Sequence, residues 1–420
     1  MDDDQYIIHD ISVSKGSLDI DDNQHNLIEK AGPRENIYFD PSKVRAGIVT
    51  CGGLCPGLND VIRALVMTLW YRYGTKHISG FMYGYRGFLS KFNHSVMELN
   101  PEIVSKIHSL GGTILGASRG YGDCVEEIVD SLEQMNINML FIIGGDGTQK
   151  GALEIAEEAK KRSLKISIVG IPKTIDNDLS FVDKSFGFET AVSRAVDAVS
   201  CAHVEAHDGV NGIGIVKVMG RESGFIAANT ALAINDVNYV LIPEVRFELE
   251  GENGLFANLE RRLKRLNHAV ILVAEGAGQE YMKDSKAIDE SGNAKLNDIG
   301  VFLKERIGEY FKMRKIDINL KYIDPSYMIR SAPANSNDSV YCTKLGAYAV
   351  HAAMAGKTGM IVSFINSHFV HVPIRLTVSG RKRVDPHQEL WRDVIEATGQ
   401  PLLIQERRTK PRSEKARNAK

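Results

Sequence analysis

Between residues 44 and 280 the chain alternates short apolar runs with amphipathic ones, and glycines or charged side chains close the apolar runs. Residues 44–50, 138–143, 165–170, 213–218, 239–242 and 269–274 read as strands. Near-continuous apolar strands of this kind are buried on both faces, as in parallel sheets covered by helices. The stretches between them suit helices over about 61–73, about 149–162 and an alanine-rich run after Gly224. Asn59 or Asp60 stands where the first of these needs a cap. This order predicts an α/β fold with mainly parallel sheets. Ligands in such sheets sit at the carboxyl ends of strands, which is where this chain concentrates its glycines and charges.

At 420 residues the chain is long enough for two lobes and a large core. Its 51 basic and 53 acidic residues nearly cancel, so nothing global points to a nucleic-acid partner. The charge that stands out is at the ends. Asp2, Asp3, Asp4, Asp19, Asp21 and Asp22 make an acidic start, and Arg407, Arg408, Lys410, Arg412, Lys415, Arg417 and Lys420 a basic finish. Both read as solvated tails, with docking onto a neighbouring subunit as the alternative. No apolar run approaches the roughly 18 residues of a membrane span. A signal peptide's basic start and apolar core are missing, and the last residues do not match the peroxisomal Ser-Lys-Leu address. A cytoplasmic enzyme is the expectation. The five cysteines, Cys51, Cys55, Cys124, Cys201 and Cys342, are odd in number and scattered, which suits a reducing compartment. Cys51 and Cys55 lack the second ligand pair of a zinc site and read as small residues flanking a glycine turn.

Three turns carry the chemistry. Gly52-Gly53, with Gly57, follows the first strand; backbone without a Cβ approaches phosphate closely, and a helix N-terminus comes next. Gly144-Gly-Asp-Gly-Thr148 adds a carboxylate and a hydroxyl at a strand-to-helix switch, suited to phosphates and to magnesium, which prefers oxygen ligands. Pro172-Lys-Thr-Ile-Asp-Asn-Asp178 holds two carboxylates and a lysine. One carboxylate is placed to take a proton, the other to serve metal or geometry, and the lysine to stabilise phosphate charge. A plain turn explains each of the three as well. Arg221, in Met219-Gly-Arg221, and Arg119, in Ser118-Arg-Gly120, add planar forks suited to phosphate. Ala355-Gly-Lys-Thr358 looks like the end of a P-loop, but its leading glycine is replaced by His351. Residues 281–300 read as a surface loop.

Taken in order, Gly52-Gly53, Gly144–Thr148, Pro172–Asp178, Met219-Gly-Arg221, Pro243-Glu244 and Arg330 resemble the phosphofructokinase family from about residue 44 to 404. The longer ATP-dependent members, which share features with the pyrophosphate-dependent branch, are the most similar. The resemblance implies two Rossmann-like lobes: residues 44–187 with 330–380 binding nucleotide, and 188–329 with 381–404 binding sugar phosphate. Residues 1–43 would be an N-terminal extension and 405–420 a basic tail. It implies magnesium-assisted phosphoryl transfer from ATP to the 1-hydroxyl of fructose 6-phosphate in glycolysis. Asp176 matches the general base, with Asp178 in the same cluster. Thr174 and Lys173 sit beside the transferred group. Arg221 matches a transition-state arginine, Asp146 the metal carboxylate, and Gly53, Arg119, Gly120, Gly145, Gly147 and Thr148 the nucleotide loops. Met219, Gly220, Glu244, Lys321, Tyr327 and Arg330 match positions around the sugar phosphate. A homotetramer or homodimer and an allosteric effector are also implied.

Gly212, Lys321 and Tyr327 depart from the short bacterial pattern, which leaves open which subunit holds the 6-phosphate. The donor is read from two residues. Gly147 leaves room for a nucleotide where pyrophosphate enzymes carry Asp; Lys173 is shared with those enzymes. Gly147 ranks first, because a side chain there fills donor space while a lysine only adds charge. The alternatives are a pyrophosphate-dependent enzyme, an NAD or lipid kinase, and a non-catalytic regulatory subunit.

Overall fold

A computed structural model describes residues 5–8, 27–282 and 296–403. The acidic residues at positions 2–4 and 19–22, the basic run from Arg407 and most of the 281–300 loop lie outside the described residues.

Thirteen strands are described: β1 Tyr6–Ile8, β2 Leu27–Lys30, β3 Arg45–Thr50, β4 His77–Phe81, β5 Val96–Glu98, β6 Met139–Gly144, β7 Ser167–Pro172, β8 Gly212–Val218, β9 Tyr239–Leu241, β10 His268–Ala274, β11 Asn319–Ile323, β12 Met360–Ile365 and β13 His368–Pro373. They make two sheets. The larger runs β1-β2-β13-β12-β7-β6-β3-β4-β5, and the smaller β11-β8-β10-β9. The five central strands of the first, β12 to β4, are parallel, with antiparallel pairing at both edges. All pairs in the second are parallel. The fold is α/β with mainly parallel sheets.

Alternation along each strand explains why both faces need cover. On β3 and β6, Ile48, Phe141 and Ile143 pack with Leu58, Val61 and Leu65 of the helix Leu58–Met67 and with Leu345 of Ser336–Met354. Val49, Leu140 and Ile142 point the other way, onto Ile128 and Ile155 of Val125–Gln134 and Asp146–Lys161. The second sheet repeats the plan. Val216, Val218 and Leu272 face Phe188–Asp208 and Phe225–Ala233, while Ile213, Ile215 and Ile271 face Leu255–Leu266 and Ile299–Met313. Each fully buried side chain of this size contributes about 1.5–3 kcal/mol.

Three boundaries differ from the sequence expectation, and each has a local cause. The first helix starts at Leu58 with Gly57 at φ 99° before it and closes in a wider π turn, Thr68–Arg72. Asn59 does not cap it; its side chain accepts from the Ile114 amide at 2.9 Å and donates to the Leu110 carbonyl at 3.1 Å. The helix expected from 149 starts at Asp146, which puts Asp146 and Gly147 in its first turn. Strand β7 runs to Pro172, so Lys173 is the first residue beyond it.

The edge of the first sheet is fastened by charge. Glu29 of β2 accepts from Lys357 at 2.7 Å, Arg34 at 2.9 Å and His371 at 3.0 Å. Burial pushes its carboxyl up, but the hydrogen bonds from His371 and Lys357 outweigh that and hold it at about 2. The P-loop look-alike is accounted for here: Lys357 serves Glu29, and Thr358 accepts from the Ile168 amide at 3.0 Å.

Candidate active site

The carboxyl ends of β3, β6 and β7 line one wall of a cleft of about 660 Å³, and residues following β8 and β10 line the other. After β6 the chain turns into its helix without spare room: a Cβ on Gly144 would lie 2.4 Å from the Thr148 side chain. Buried Gln149 donates to the Gly144 carbonyl at 3.0 Å and the Ile171 carbonyl at 3.3 Å, which locks β6 to β7. The helix N-terminus at Gly145 thus opens toward the cleft, where its unpaired amides suit an anion. A Cβ on Gly147 would meet nothing within 4 Å.

After β3, Gly52 takes φ 85° and donates its amide to the Ser118 carbonyl at 2.8 Å. This brings Arg119 beside the turn: its guanidinium lies 3.6 Å from where a Gly53 Cβ would stand. Gly120 follows at φ 79°. Cys51 and Cys55 are buried free thiols here. Burial pushes Cys51 up to about 12, and Cys55 donates to the Phe186 carbonyl, so neither is a thiolate ligand.

After β7 each polar residue has its own partner. Buried Lys173 donates to the Gly53 carbonyl at 2.8 Å. Thr174 donates to Asp178 at 2.6 Å. Asn177 adopts φ 55°, accepts from the Ser185 amide at 3.0 Å and donates to the Asp183 carbonyl at 3.1 Å. That pin turns Asp176 toward the cleft. The Asp176 Oδ1 atom is buried with no hydrogen-bond partner among the described residues. Burial, and then the Asp178 and Glu275 carboxylates, hold the Asp176 carboxyl well above the usual carboxylate range; the Arg221 backbone amide opposes them. A carboxylate so raised is a basic one, suited to accept a proton.

Met219 and Arg221 complete the far wall after β8, with Arg330 and Glu275 beside them. Burial raises the Glu275 carboxyl, against the pull of Lys217, Arg221 and Arg330. Of the residues named from the sequence, Gly53, Arg119, Gly120, Gly145, Asp146, Gly147, Thr148, Lys173, Thr174, Asp176, Asp178, Met219, Arg221 and Arg330 line this one cleft. Gly220 lies just behind it, at φ 125° with the Ser223 carbonyl close by. Glu244 is outside the lining; it accepts from the Val384 and Gly224 amides at 2.8 and 3.0 Å and braces the wall from behind. Lys321 is half exposed and faces Glu205 at 3.9 Å. Tyr327 is 78% exposed, with the Arg330 guanidinium 4.9 Å from its ring centre.

The sequence reading missed several lining residues. Glu275 had a usable signal, a carboxylate at a strand end just before a glycine. Tyr85, whose hydroxyl donates to the Thr148 carbonyl at 2.7 Å, had none. Nor had Arg381, which reaches Asp146, Asp178 and Glu222 together.

Residues 45–353 match the family described as Phosphofructokinase. The chain is 60% identical over 385 residues to the ATP-dependent 6-phosphofructokinase of Borreliella burgdorferi, covering 90% of this chain and 86% of that protein. It is 50% identical over 377 residues to ATP-dependent 6-phosphofructokinase 5, chloroplastic, of Arabidopsis thaliana, covering 90% of this chain and 70% of that one. Among solved structures, a pyrophosphate-dependent phosphofructokinase from Marinobacter aquaeolei superposes with a TM-score of 0.70 at 19% identity, over 86% of this chain and 92% of that one. At that identity the likeness is one of fold.

Proposed function

The chain belongs to the phosphofructokinase family, and from that premise we propose how its cleft works. The activity is that of an ATP-dependent 6-phosphofructokinase, a glycolytic kinase that transfers a phosphoryl group to the 1-hydroxyl of fructose 6-phosphate. The observation that carries the mechanism is Asp176: a buried carboxylate with one unpartnered oxygen and a raised pKa, facing the cleft between the two sheets.

The phosphate donor lies along Gly53, Arg119, Gly120 and the Gly145–Thr148 turn, in reach of a helix N-terminus. Fructose 6-phosphate lies toward Met219, Arg330 and Glu275, with its 1-hydroxyl at Asp176. Ionised Asp176 takes the hydroxyl proton as the oxygen attacks the γ-phosphorus of ATP, whose bond to the bridging oxygen breaks to release ADP. Arg221 meets the charge that develops on the transferred group, and Thr174 stands beside it. Asp178 orients Thr174 through their 2.6 Å bond and keeps Asp176 basic. Gly220 and Glu244 act behind the wall. Lys321 and Tyr327 are proposed as sugar-phosphate contacts completed by a neighbouring subunit in a homodimer or homotetramer.

The donor set fits magnesium. Asp146 and Asp178 present hard oxygens that converge within 4 Å of a single cationic group, the Arg381 guanidinium. Asp146 would hold the ion, with Asp178 near it, and a bound Mg²⁺ would supply neutralising charge for the phosphates. The lobe division proposed is 44–187 with 330–380, and 188–329 with 381–404, so that the two substrates come from opposite lobes. Among the described residues no helix is long and apolar enough to cross a membrane; a cytoplasmic location and an allosteric effector are proposed with the family reading.

A coupled assay on fructose 6-phosphate with Mg²⁺, comparing ATP with pyrophosphate, tests the reading. Turnover with ATP is expected. Turnover with pyrophosphate alone would reassign the donor, and phosphorylation of NAD or a lipid without fructose 6-phosphate would replace the reading.

A further inference from the structure

Arg381 belongs to a segment remote in sequence from the turns that form the cleft, yet its side chain ends among their carboxylates. One terminal nitrogen lies 3.1 Å from Glu222 and 3.8 Å from Asp178, and the other 3.9 Å from Asp146. Its backbone is fixed in the same place. Arg381 forms an antiparallel bridge with Leu179, and the next amide, of Lys382, donates to the Asp178 carbonyl at 2.8 Å. Glu222, which sits beside Arg221 after β8, also holds Arg383 at 3.0 Å.

We propose that Arg381 is a positioning residue that stands where a divalent cation would stand between Asp146 and Asp178, so that metal enters with the nucleotide rather than ahead of it. This rests on the reading of Asp146 and Asp178 as carboxylates directed at the metal. Magnesium binds oxygen at about 2.0–2.1 Å and keeps several waters, so its hydrated shell reaches past 3.5 Å. A guanidinium within 4 Å of both carboxylates overlaps that shell and carries the same sign of charge. The phosphates of an incoming nucleotide reverse the balance by bringing negative charge for both cations. Glu222, the closest partner, then keeps the guanidinium paired as the carboxylates turn to the metal. Planarity matters too, since a fork can touch two carboxylates at once while an ammonium acts as a point charge.

Lys150 also approaches Asp146, at 3.1 Å. It is more than half exposed, touches only that carboxylate and is free to swing into solvent, so its effect is screened. Arg381 is tethered at both its backbone and Glu222.

Mn²⁺ binding to the full-length protein without nucleotide, followed by the loss of the free Mn²⁺ electron-paramagnetic-resonance signal, tests this. Wild type should bind Mn²⁺ weakly, and Arg381→Gln at least about tenfold more tightly, the scale on which groups around a metal tune its affinity. Arg383→Gln, which removes a nearby charge that does not reach Asp146 or Asp178, should match wild type. Unchanged or weaker Mn²⁺ binding by R381Q overturns the proposal, as does equal tightening in R383Q. If R381Q does not fold, Arg381→Lys is read instead, where about threefold tightening or more supports the proposal and less overturns it. The kinase reading is tested apart from this, by wild-type turnover of fructose 6-phosphate.

Discussion

Lys173 donates its buried ammonium to the carbonyl of Gly53 at 2.8 Å, joining the turn that carries Asp176 to the glycine turn after β3. Burial lowers the lysine's pKa. A Cβ on Gly52 would stand 3.1 Å from the same nitrogen, a tight approach that glycine avoids. This pairing gives Lys173 a task that does not depend on the phosphate donor. From sequence alone the lysine counts against ATP; as a pin between two phosphate turns it is compatible with either donor.

Lys173→Met keeps the length of the side chain and removes the donor. The Gly53 carbonyl then loses its buried partner, at about 1–3 kcal/mol. The denaturation midpoint should fall, and the KM for ATP should rise several-fold while that for fructose 6-phosphate changes less. A folded variant with an unchanged KM for ATP would detach the lysine from the nucleotide turn.

Asp176→Asn removes the proposed base but keeps the shape. Turnover should fall by about 10²–10⁴, while calorimetric binding of fructose 6-phosphate persists. Stability should move the other way. A carboxyl whose pKa is raised on folding holds its proton more tightly in the folded state, so ionisation weakens the fold as pH rises above the unfolded value. At pH 8 the Asn variant should therefore melt above wild type. Near-normal turnover would remove Asp176 from the mechanism.

What the sequence discloses follows from burial. Strands covered on both faces are apolar throughout, so β3, β6, β7, β8 and β10 are visible as runs, and their carboxyl ends locate the turns. Within those turns the sequence cannot divide the labour of similar residues. Asn177, flanked by two aspartates, is the backbone pin; only its φ of 55° and its bonds to residues 183 and 185 reveal it. Arg381 lies in Arg-Lys-Arg383, far along the chain from the glycine turns, and only the fold brings it to Asp178. Lys321 and Tyr327 are known only through resemblance, and a single chain leaves both outside the cleft.

The electrostatics around Asp176 predict the pH profile. The base works ionised, so kcat/KM should be lost as pH falls through a pKa above the ordinary carboxylate range. Burial is the larger cause, and Asp178 and Glu275 add like charge. Glu275→Gln deletes one of those charges, so the acid limb should move to lower pH even if the overall rate drops through weaker sugar binding. The position of the limb is the measurement. A limb that stays in place would mean that the Glu275 carboxylate does not influence the base.

Gly147 offers the sharpest test of donor choice. It lies in the first turn of its helix, lines the cleft, and leaves open space where a Cβ would go. Gly147→Asp should therefore fold. Glycine is the weaker helix former, and an acidic side chain in a first turn is favourable by about 0.3–1 kcal/mol. The thermal midpoint should stay level or rise. The new carboxylate stands among the nucleotide turns, next to Asp146, so it both fills donor space and repels phosphate. Like-charge contacts of this kind cost several kcal/mol when desolvated, and about 1.4 kcal/mol is already tenfold. The kcat/KM with ATP should fall by about 100-fold or more, with a smaller loss for pyrophosphate, which brings no nucleoside to be accommodated. Both constants, measured on one preparation whose melting curve matches wild type, separate exclusion of the nucleotide from damage to the fold. Unchanged kinetics with ATP would show that the space beside Gly147 is not where the donor lies.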